Sequence, residues 1–183
     1  MPLVRLLLLT GQRLREVAEA RWNEIDLDQA LWTIPHNRMK GDVAHEVPLA
    51  PLAAGIFKSL PRFSGPYVFT TLDGNRPVSG FGKVKERIDA TICNLTGSAG
   101  RDFEADAPGI GDWRFHDLRR TMRTHLSGLP VPDMVRELVI AHKKPGLHRV
   151  YDQHSCRKEK LHTLSCGRRS YFRSSPNRLQ IPL

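Results

Sequence analysis

The sequence predicts a mainly α-helical, α+β domain that carries one small three-stranded antiparallel sheet. Helical spacing of apolar residues recurs along most of the chain up to about residue 150. Only the segment between residues 25 and 49 has the short alternating stretches and polar turns that are typical of strands. With 183 residues, of which 40% are hydrophobic, the chain is long and apolar enough for one domain with a core.

The first sixty residues predict a helix, the sheet and a second helix. The first helix is expected over residues 6–22, with an interruption near its start at Thr10-Gly11. Two strands around a polar turn are expected over residues 25–34, and a third strand over residues 45–49. Pro51, a residue type favoured in the first turn of a helix, predicts the second helix.

The middle of the chain predicts one helix between two irregular segments. A short extended piece is expected over residues 67–70, followed by a loop over residues 73–77. Ser79 precedes a helical pattern that runs to about residue 95. Residues 96–112 are rich in Gly, Ala and Asp and predict a mobile loop.

Two further helices are expected before the composition changes. One covers residues 115–126, and Gly128-Leu129-Pro130 ends it. Pro132 begins the next helix, which is expected to reach His142. Residues 143–146 predict a linker.

The chain divides into a folded domain over residues 1–154 and a tail over residues 155–183. Tyr151 is expected on or just before a last helix, and after it apolar periodicity fades while Ser, Arg, Asn and Pro dominate. The tail contains seven Lys or Arg and one Glu in a chain of net charge +9, so the folded domain is only weakly basic. We expect this tail to be basic, atypical and poorly ordered.

Other classes of protein find no support in the sequence. The longest apolar run, Leu6-Leu7-Leu8-Leu9, is far too short to cross a membrane, and the start of the chain lacks a signal-peptide layout. These features predict a cytoplasmic protein without a membrane partner. There is no Gly-x-Ser-x-Gly turn of a serine hydrolase and no clear acidic cluster of a metal-dependent nuclease.

Six side chains follow one another in an order that suits attack of a phenol on a phosphodiester: Arg13, Lys40, His116, Arg119, His142 and Tyr151. The planar fork of arginine matches two phosphate oxygens, so Arg13 and Arg119 are expected to bind the phosphate and stabilise its charge. Tyr151 is the candidate nucleophile. It needs a nearby cation or base, which the two arginines or His116 would supply.

The remaining candidates would handle protons and orientation. His142 is expected to donate to the same phosphate. Lys40, at the tip of the predicted hairpin, is expected to protonate the departing oxygen. Glu16 lies one helical turn after Arg13 and is expected to orient or cap local structure rather than act as an acid or base.

The candidate residues lie in motifs that resemble those of the tyrosine recombinases, the phage and genomic-island integrase family. The resemblance covers roughly residues 3–154 and concerns the catalytic domain. The motifs are Thr10-Gly11-Gln12-Arg13 with Glu16, Arg38-Met39-Lys40-Gly41 with His45-Glu46-Val47-Pro48-Leu49, His116-Asp117-Leu118-Arg119-Arg120-Thr121, Ile140-Ala141-His142, and Tyr151 nine residues later.

The resemblance implies site-specific recombination and integration of DNA. Tyr151 would attack the scissile phosphate, form a 3′-phosphotyrosine link and free a 5′-hydroxyl, and a second strand would reverse the step. No cofactor, ATP or metal would be needed. The partners would be double-stranded attachment-site DNA and further copies of the chain, usually four in the active synapse. Arg15, Arg120 and Arg123 are candidate DNA contacts, with plain surface charge as the alternative reading.

Two departures from the family pattern leave alternatives open. The sequence begins a few residues before the first motif, so we expect the arm-binding and core-binding domains that normally precede it to be missing. After His154, where the family normally continues with an apolar helix, the sequence is polar and basic. We therefore expect a truncated fragment with impaired assembly. The alternatives are a non-catalytic DNA-binding remnant or accessory protein at integrase sites, and a relaxing enzyme of the type IB topoisomerase kind.

Overall fold

The computed structural model describes residues 1–95, 112–142 and 156–173. The α-helices within these ranges are α1 (Pro2–Thr10), α2 (Leu14–Ala18), α3 (Pro51–Ser59), α4 (Phe81–Leu95), α5 (Phe115–Ser127), α6 (Asp133–Val139) and α7 (Arg157–Arg173). The strands are β1 (Ile25–Asp26), β2 (Leu31–Ile34), β3 (His45–Pro48), β4 (Thr70–Leu72) and β5 (Arg76–Pro77). Short 3-10 turns cover Trp22–Glu24 and His36–Arg38. The predicted mainly helical α+β class is confirmed.

Strands β1, β2 and β3 form the predicted antiparallel sheet, with β2 in the middle. Trp32 of β2 pairs with Ile25 on one side and with Val47 on the other. All three side chains are buried, because residues directly opposite one another in an antiparallel sheet project from the same face. The ring of Trp32 packs edge-on against Phe57 of α3 at 6.0 Å between centroids, which joins the sheet to that helix.

Within the described ranges, the buried apolar side chains form two clusters. The larger one lies between α1, the sheet and α3, and contains Leu6, Trp32 and Phe57. The smaller one lies between α5, α6 and α7, and contains Met122 and Leu164 among others. Because α1 also packs against α5, the two clusters share the N-terminal helix as a common support.

The N-terminal helical segment breaks at Gly11. This residue has φ +66°, which an L side chain rarely adopts, and its N–H donates to Leu7 O at 3.0 Å. A Cβ at this position would lie 2.8 Å from the sulfur of Met122. The predicted interruption is confirmed, but the prediction of a helix to residue 22 is wrong, since α2 ends at Ala18.

Two other boundaries differ from the sequence prediction. Residues 73–77 were expected to form a loop, yet Arg76 and Pro77 form β5, which pairs with β4 in a short antiparallel hairpin. Helix α6 was expected to reach His142 but ends at Val139. The reason is that Ala141 has φ +53°, a left-handed conformation that stops an α-helix. The predicted loop over residues 96–112 lies outside the described residues except for Asp112.

The expectation of a poorly ordered tail from residue 155 is corrected for residues 157–173, which form α7. Four side chains spaced along one face of this segment are buried: Cys156, Lys160, Thr163 and Leu164. The Nζ of Lys160 donates to Glu46 O at 3.1 Å, and Arg157 donates to Gln29 O at 2.7 Å. The buried face consists largely of polar residue types, which explains why apolar periodicity fails to reveal it.

None of the helices in the described ranges is long and apolar enough to cross a membrane.

Candidate active site around the end of α6

Arg119 lies in the middle of α5 and is almost fully buried. Its Nη1 donates to Gly11 O at 2.6 Å, and its Nη2 donates to Ile140 O. One guanidinium thus joins the turn after α1 to the end of α6. Burial, with a smaller contribution from the charge of Arg13, lowers the pKa of Arg119 to about 10, so the side chain stays protonated at neutral pH.

Arg13 precedes α2 and is held by Glu16. One carboxylate oxygen of Glu16 accepts from Arg13 N at 2.8 Å, and the other accepts from Arg13 Nη1 at 2.7 Å. The first contact caps the start of α2, since a carboxylate there satisfies an N–H that has no partner within the helix. The second holds the Nη1 atom of Arg13, whose side chain as a whole remains 30% exposed.

The end of α6 is closed by the chain itself through two backbone hydrogen bonds. His142 N donates to Glu137 O at 3.0 Å, and Ala141 N donates to Leu138 O at 3.3 Å. This pair, with Ala141 in the left-handed region, is a Schellman motif. It accounts for two of the last four carbonyls, which have no partner within a helix.

The other two carbonyls are bound by side chains from distant segments. Val139 O accepts from Gln12 Nε2 at 2.9 Å and contacts His45 Nε2 at 3.3 Å. Ile140 O accepts from Arg119. Three elements of the fold thereby hold the main chain that leads into His142. The position of that histidine is therefore set by tertiary structure as well as by its own helix.

The side chain of His142 forms a hydrogen bond with Glu137. Its Nδ1 meets Oε2 of that residue, while Oε1 accepts from Arg123 Nε at 2.6 Å. Arg123 also bonds Asp133 at 2.7 Å and Ser127 at 2.8 Å. Burial by itself would raise the pKa of Glu137, but the hydrogen bonds from Arg123 and His142 outweigh it and lower that pKa, which favours the carboxylate.

Lys40 and His116 are exposed. Lys40 lies in the turn between β2 and β3, two residues after Arg38. Arg38 anchors the base of that turn, since it forms an ion pair with Glu24 and donates to Glu16 O at 2.6 Å. His116 lies in the first turn of α5, whose start is capped by a hydrogen bond from Arg114 N to the Asp117 carboxylate at 2.8 Å.

The three candidate DNA contacts occupy different settings. Arg15 is exposed on α2. Arg120 is exposed on α5, where it forms an ion pair with Asp117 at 3.3 Å. Arg123 differs, because its guanidinium is engaged by the acids Glu137 and Asp133 of the same chain.

Arg119 joins the segments that lead into Arg13 and His142, because it donates to Gly11 O and to Ile140 O. Tyr151 lies outside the described residues. Within those residues, no group of three or more His, Cys, Asp or Glu side chains is placed to hold a metal ion.

Sequence reasoning missed three supporting residues: Gln12, His45 and Glu137. Gln12 and His45 stand inside quoted motifs, but both are polar residue types, which are seldom fully buried. Both are buried. Burial, reinforced by the nearby charge of Lys160, lowers the pKa of His45 to about 3. Glu137 lies five residues before His142, which is not the i,i+3 or i,i+4 spacing of neighbouring side chains on a helix, so no pattern singles it out.

Comparisons with known proteins agree on one family. The model described as the phage integrase family matches residues 2–157. Prophage integrase IntA of Escherichia coli K12 is 40% identical over 151 residues, which cover 80% of this chain and 32% of that protein. Prophage integrase IntZ of the same strain is 31% identical over 156 residues, which cover 82% of this chain and 34% of that protein. The chain spans about a third of the length of these curated relatives.

Solved structures share the fold. The integrase from mycobacterium phage Brujita aligns with a TM-score of 0.60 at 18% identity, covering 99% of this chain and 53% of that one. A Tn1549 transposon integrase, solved in complex with a circular intermediate DNA, aligns with a TM-score of 0.57 at 12% identity. The alignment covers 95% of this chain and 58% of that one.

Proposed function

Because the chain belongs to the phage integrase family, we propose that it cleaves and rejoins DNA strands in site-specific recombination through a 3′-phosphotyrosine intermediate. Its fold is that of a tyrosine recombinase catalytic domain. The proposal extends to this chain the activity of a family whose curated members are about three times as long.

One observation carries the proposal: Arg119 is buried and binds the backbone on both sides of the site. Its contact with Gly11 O leads directly to Arg13, and its contact with Ile140 O leads directly to His142. The segments that carry two arginines and a histidine are thereby joined to one another. Cations that are held in place before a substrate binds stabilise the charge that develops on a phosphate, and this supports the proposal.

In the proposed reaction, the Tyr151 oxygen forms a bond to the scissile phosphorus and the bond from phosphorus to the 5′ oxygen breaks. The partly exposed Arg13 binds the non-bridging oxygens together with the N–H groups of Arg119 that its two backbone contacts leave over, and His142 donates to the same phosphate. Lys40, on the exposed turn between β2 and β3, gives the proton that the departing 5′ oxygen needs. The tyrosine proton passes to a neighbouring base, for which His116 is the candidate.

Rejoining follows by the reverse steps. A 5′-hydroxyl of a second strand attacks the phosphotyrosine, and the tyrosine leaves. The phosphoester bond is conserved throughout, so the proposal includes no ATP, metal or other cofactor.

The proposed substrate is double-stranded DNA at attachment sites, recognised with further copies of the chain, four in the active synapse. The net charge of +9 favours a polyanion, and exposed Arg15 and Arg120 are candidate phosphate contacts. The Tn1549 integrase of the same fold is in complex with DNA, which supports this class of substrate.

Covalent trapping tests the proposal. The substrate is a pool of nicked half-sites with randomised flanks, in which sulfur replaces the 5′ oxygen of the scissile linkage so that cleavage cannot reverse. The chain is compared with Tyr151→Phe and with a matched control, Tyr67→Phe, whose hydroxyl meets Arg21 elsewhere in the fold. We expect a protein–DNA adduct on a denaturing gel from the unchanged chain and from Tyr67→Phe, and none from Tyr151→Phe.

Other outcomes favour the alternatives. DNA binding without an adduct, in a chain that melts cooperatively, would indicate a non-catalytic binding or accessory protein. An adduct that survives Tyr151→Phe would refute the assignment of the nucleophile. Relaxation of supercoiled DNA without a specific site would favour a topoisomerase of type IB.

A further inference from the structure

Glu137 makes two bonds that no requirement of helix α6 explains. Its Oε2 meets His142 Nδ1 and its Oε1 accepts from Arg123 Nε at 2.6 Å. Each carboxylate oxygen thus has a partner of its own. A carboxylate bonded in this way cannot rotate without losing one of them.

Arg123 is itself held in place. Its Nη2 donates to Asp133 at 2.7 Å and its Nη1 to Ser127 Oγ at 2.8 Å. Every nitrogen of this guanidinium therefore has a partner within α5 or α6. The function of Arg123 that these contacts indicate is to hold Glu137, which differs from the DNA contact that its position in the sequence suggests.

The main chain fixes the same pair of residues a second time. His142 N donates to Glu137 O at 3.0 Å, so backbone and side chain of His142 are both bonded to Glu137. The Nδ1 atom of the ring is engaged, while the side chain as a whole stays 49% exposed. The ring nitrogen that remains for an incoming anion is Nε2.

We propose that Glu137 is the positioning residue of this site, which holds His142 by Nδ1 and so presents Nε2 to the scissile phosphate. The proposal rests on the proposed recombinase function for the identity of the anion. A carboxylate on one nitrogen of a histidine selects the tautomer, orients the ring and stabilises the imidazolium. The imidazolium form is the one in which Nε2 carries a proton that it can donate to a phosphate oxygen.

The test compares the rate of adduct formation with the affinity for DNA. Glu137→Ala removes both bonds, and Glu137→Gln keeps an acceptor oxygen but removes the charge. We expect Glu137→Ala to slow single-turnover adduct formation by about 10- to 100-fold, because loss of orientation at a reacting centre has effects of this size. Glu137→Gln should be intermediate, and the Kd for DNA should change little in both.

Asp133→Asn is the matched control. Asp133 bonds the same Arg123 and forms a second ion pair with Arg136, so this variant should cleave at nearly the rate of the unchanged chain. The second comparison uses His142→Ala as background. If Glu137 acts through His142, adding Glu137→Ala to that variant should slow the reaction no further. An equal slowing with and without His142 would overturn the proposal.

A measurement without DNA separates this proposal from the proposed function. Nitrogen-15 shifts of the His142 ring report which nitrogen carries the proton. We expect a protonated Nδ1 in the unchanged chain and a different ratio of the two tautomers in Glu137→Ala. The same spectrum in both chains would refute the positioning function whether or not the chain forms an adduct. A chain that forms no adduct but shows the expected shift would contradict only the recombinase function.

Discussion

Replacement of Arg119 by lysine tests whether one guanidinium holds the site together. The fork of Arg119 reaches two carbonyls, Gly11 O and Ile140 O, in a buried setting. Lysine is also cationic, but it carries its donors on one nitrogen at the end of a flexible stem. Arg119→Lys should therefore keep one of the two bonds and leave the other carbonyl buried without a partner.

The magnitude follows from the contact that is lost. A hydrogen bond to a charged group contributes about 1.5–3 kcal/mol, and an unpaired buried acceptor costs a similar amount. We expect the free energy of unfolding to fall by about 1.5–3 kcal/mol. For a domain of about this size, that corresponds to a decrease of roughly 3–12 °C in Tm.

The assay is urea and thermal unfolding in the absence of DNA, so that the result does not depend on any activity. Arg120→Lys is the control. It makes the same chemical change at the next residue, whose guanidinium is exposed and forms one ion pair with Asp117 at 3.3 Å. Exposed pairs contribute little, and this variant should change stability by less than about 1 kcal/mol. If Arg119→Lys is no less stable than Arg120→Lys, Arg119 does not join the two segments.

Two further predictions concern His45 and Ala141. Burial lowers the pKa of His45 to about 3, so between about pH 6.5 and 3 the unfolded chain binds a proton there that the folded chain does not, and stability decreases as the pH falls. His45→Gln keeps a donor near the Nε2 position. Between pH 7 and pH 5, the free energy of unfolding of this variant, measured with urea, should fall by about 2 kcal/mol less than that of the unchanged chain. The exposed control His36→Gln should not differ from the unchanged chain, and equal losses in all three chains would contradict the reasoning. Ala141 has φ +53°, so Ala141→Gly should raise the free energy of unfolding by about 0.5–1 kcal/mol. Ala54→Gly inside α3 should lower it by about 1 kcal/mol, and a decrease in both variants would refute the argument.

Local chemistry explains where sequence prediction succeeded. Pro51 marks the start of α3, and alternation around Trp32 marks the sheet, because both signals depend on residues close together in the chain. Thr10-Gly11 likewise predicts the break after α1, since glycine tolerates the φ of +66° that the break requires.

The same logic explains where it failed. The sequence prediction ended α6 at His142 because no residue there disfavours a helix. In the structure Ala141 adopts a left-handed conformation, and a glycine at that position would have predicted the helix end. Apolar periodicity did not predict helix α7, because the buried face of this helix contains the polar residues Lys160 and Thr163. Lysine is rarely buried, and the carbonyl of Glu46 on another element gives its buried ammonium a hydrogen-bond partner.

The sequence by itself determined the family, the fold class and the identity of the candidate side chains, because motifs such as Thr10-Gly11-Gln12-Arg13 are recognised from residue types and spacing alone. The tertiary structure alone decided how those side chains are held. Gln12, Arg119 and His45 come from three elements and converge on the carbonyls of Val139 and Ile140. A helix leaves its last carbonyls without partners, and which distant donors meet them depends on packing rather than on sequence spacing.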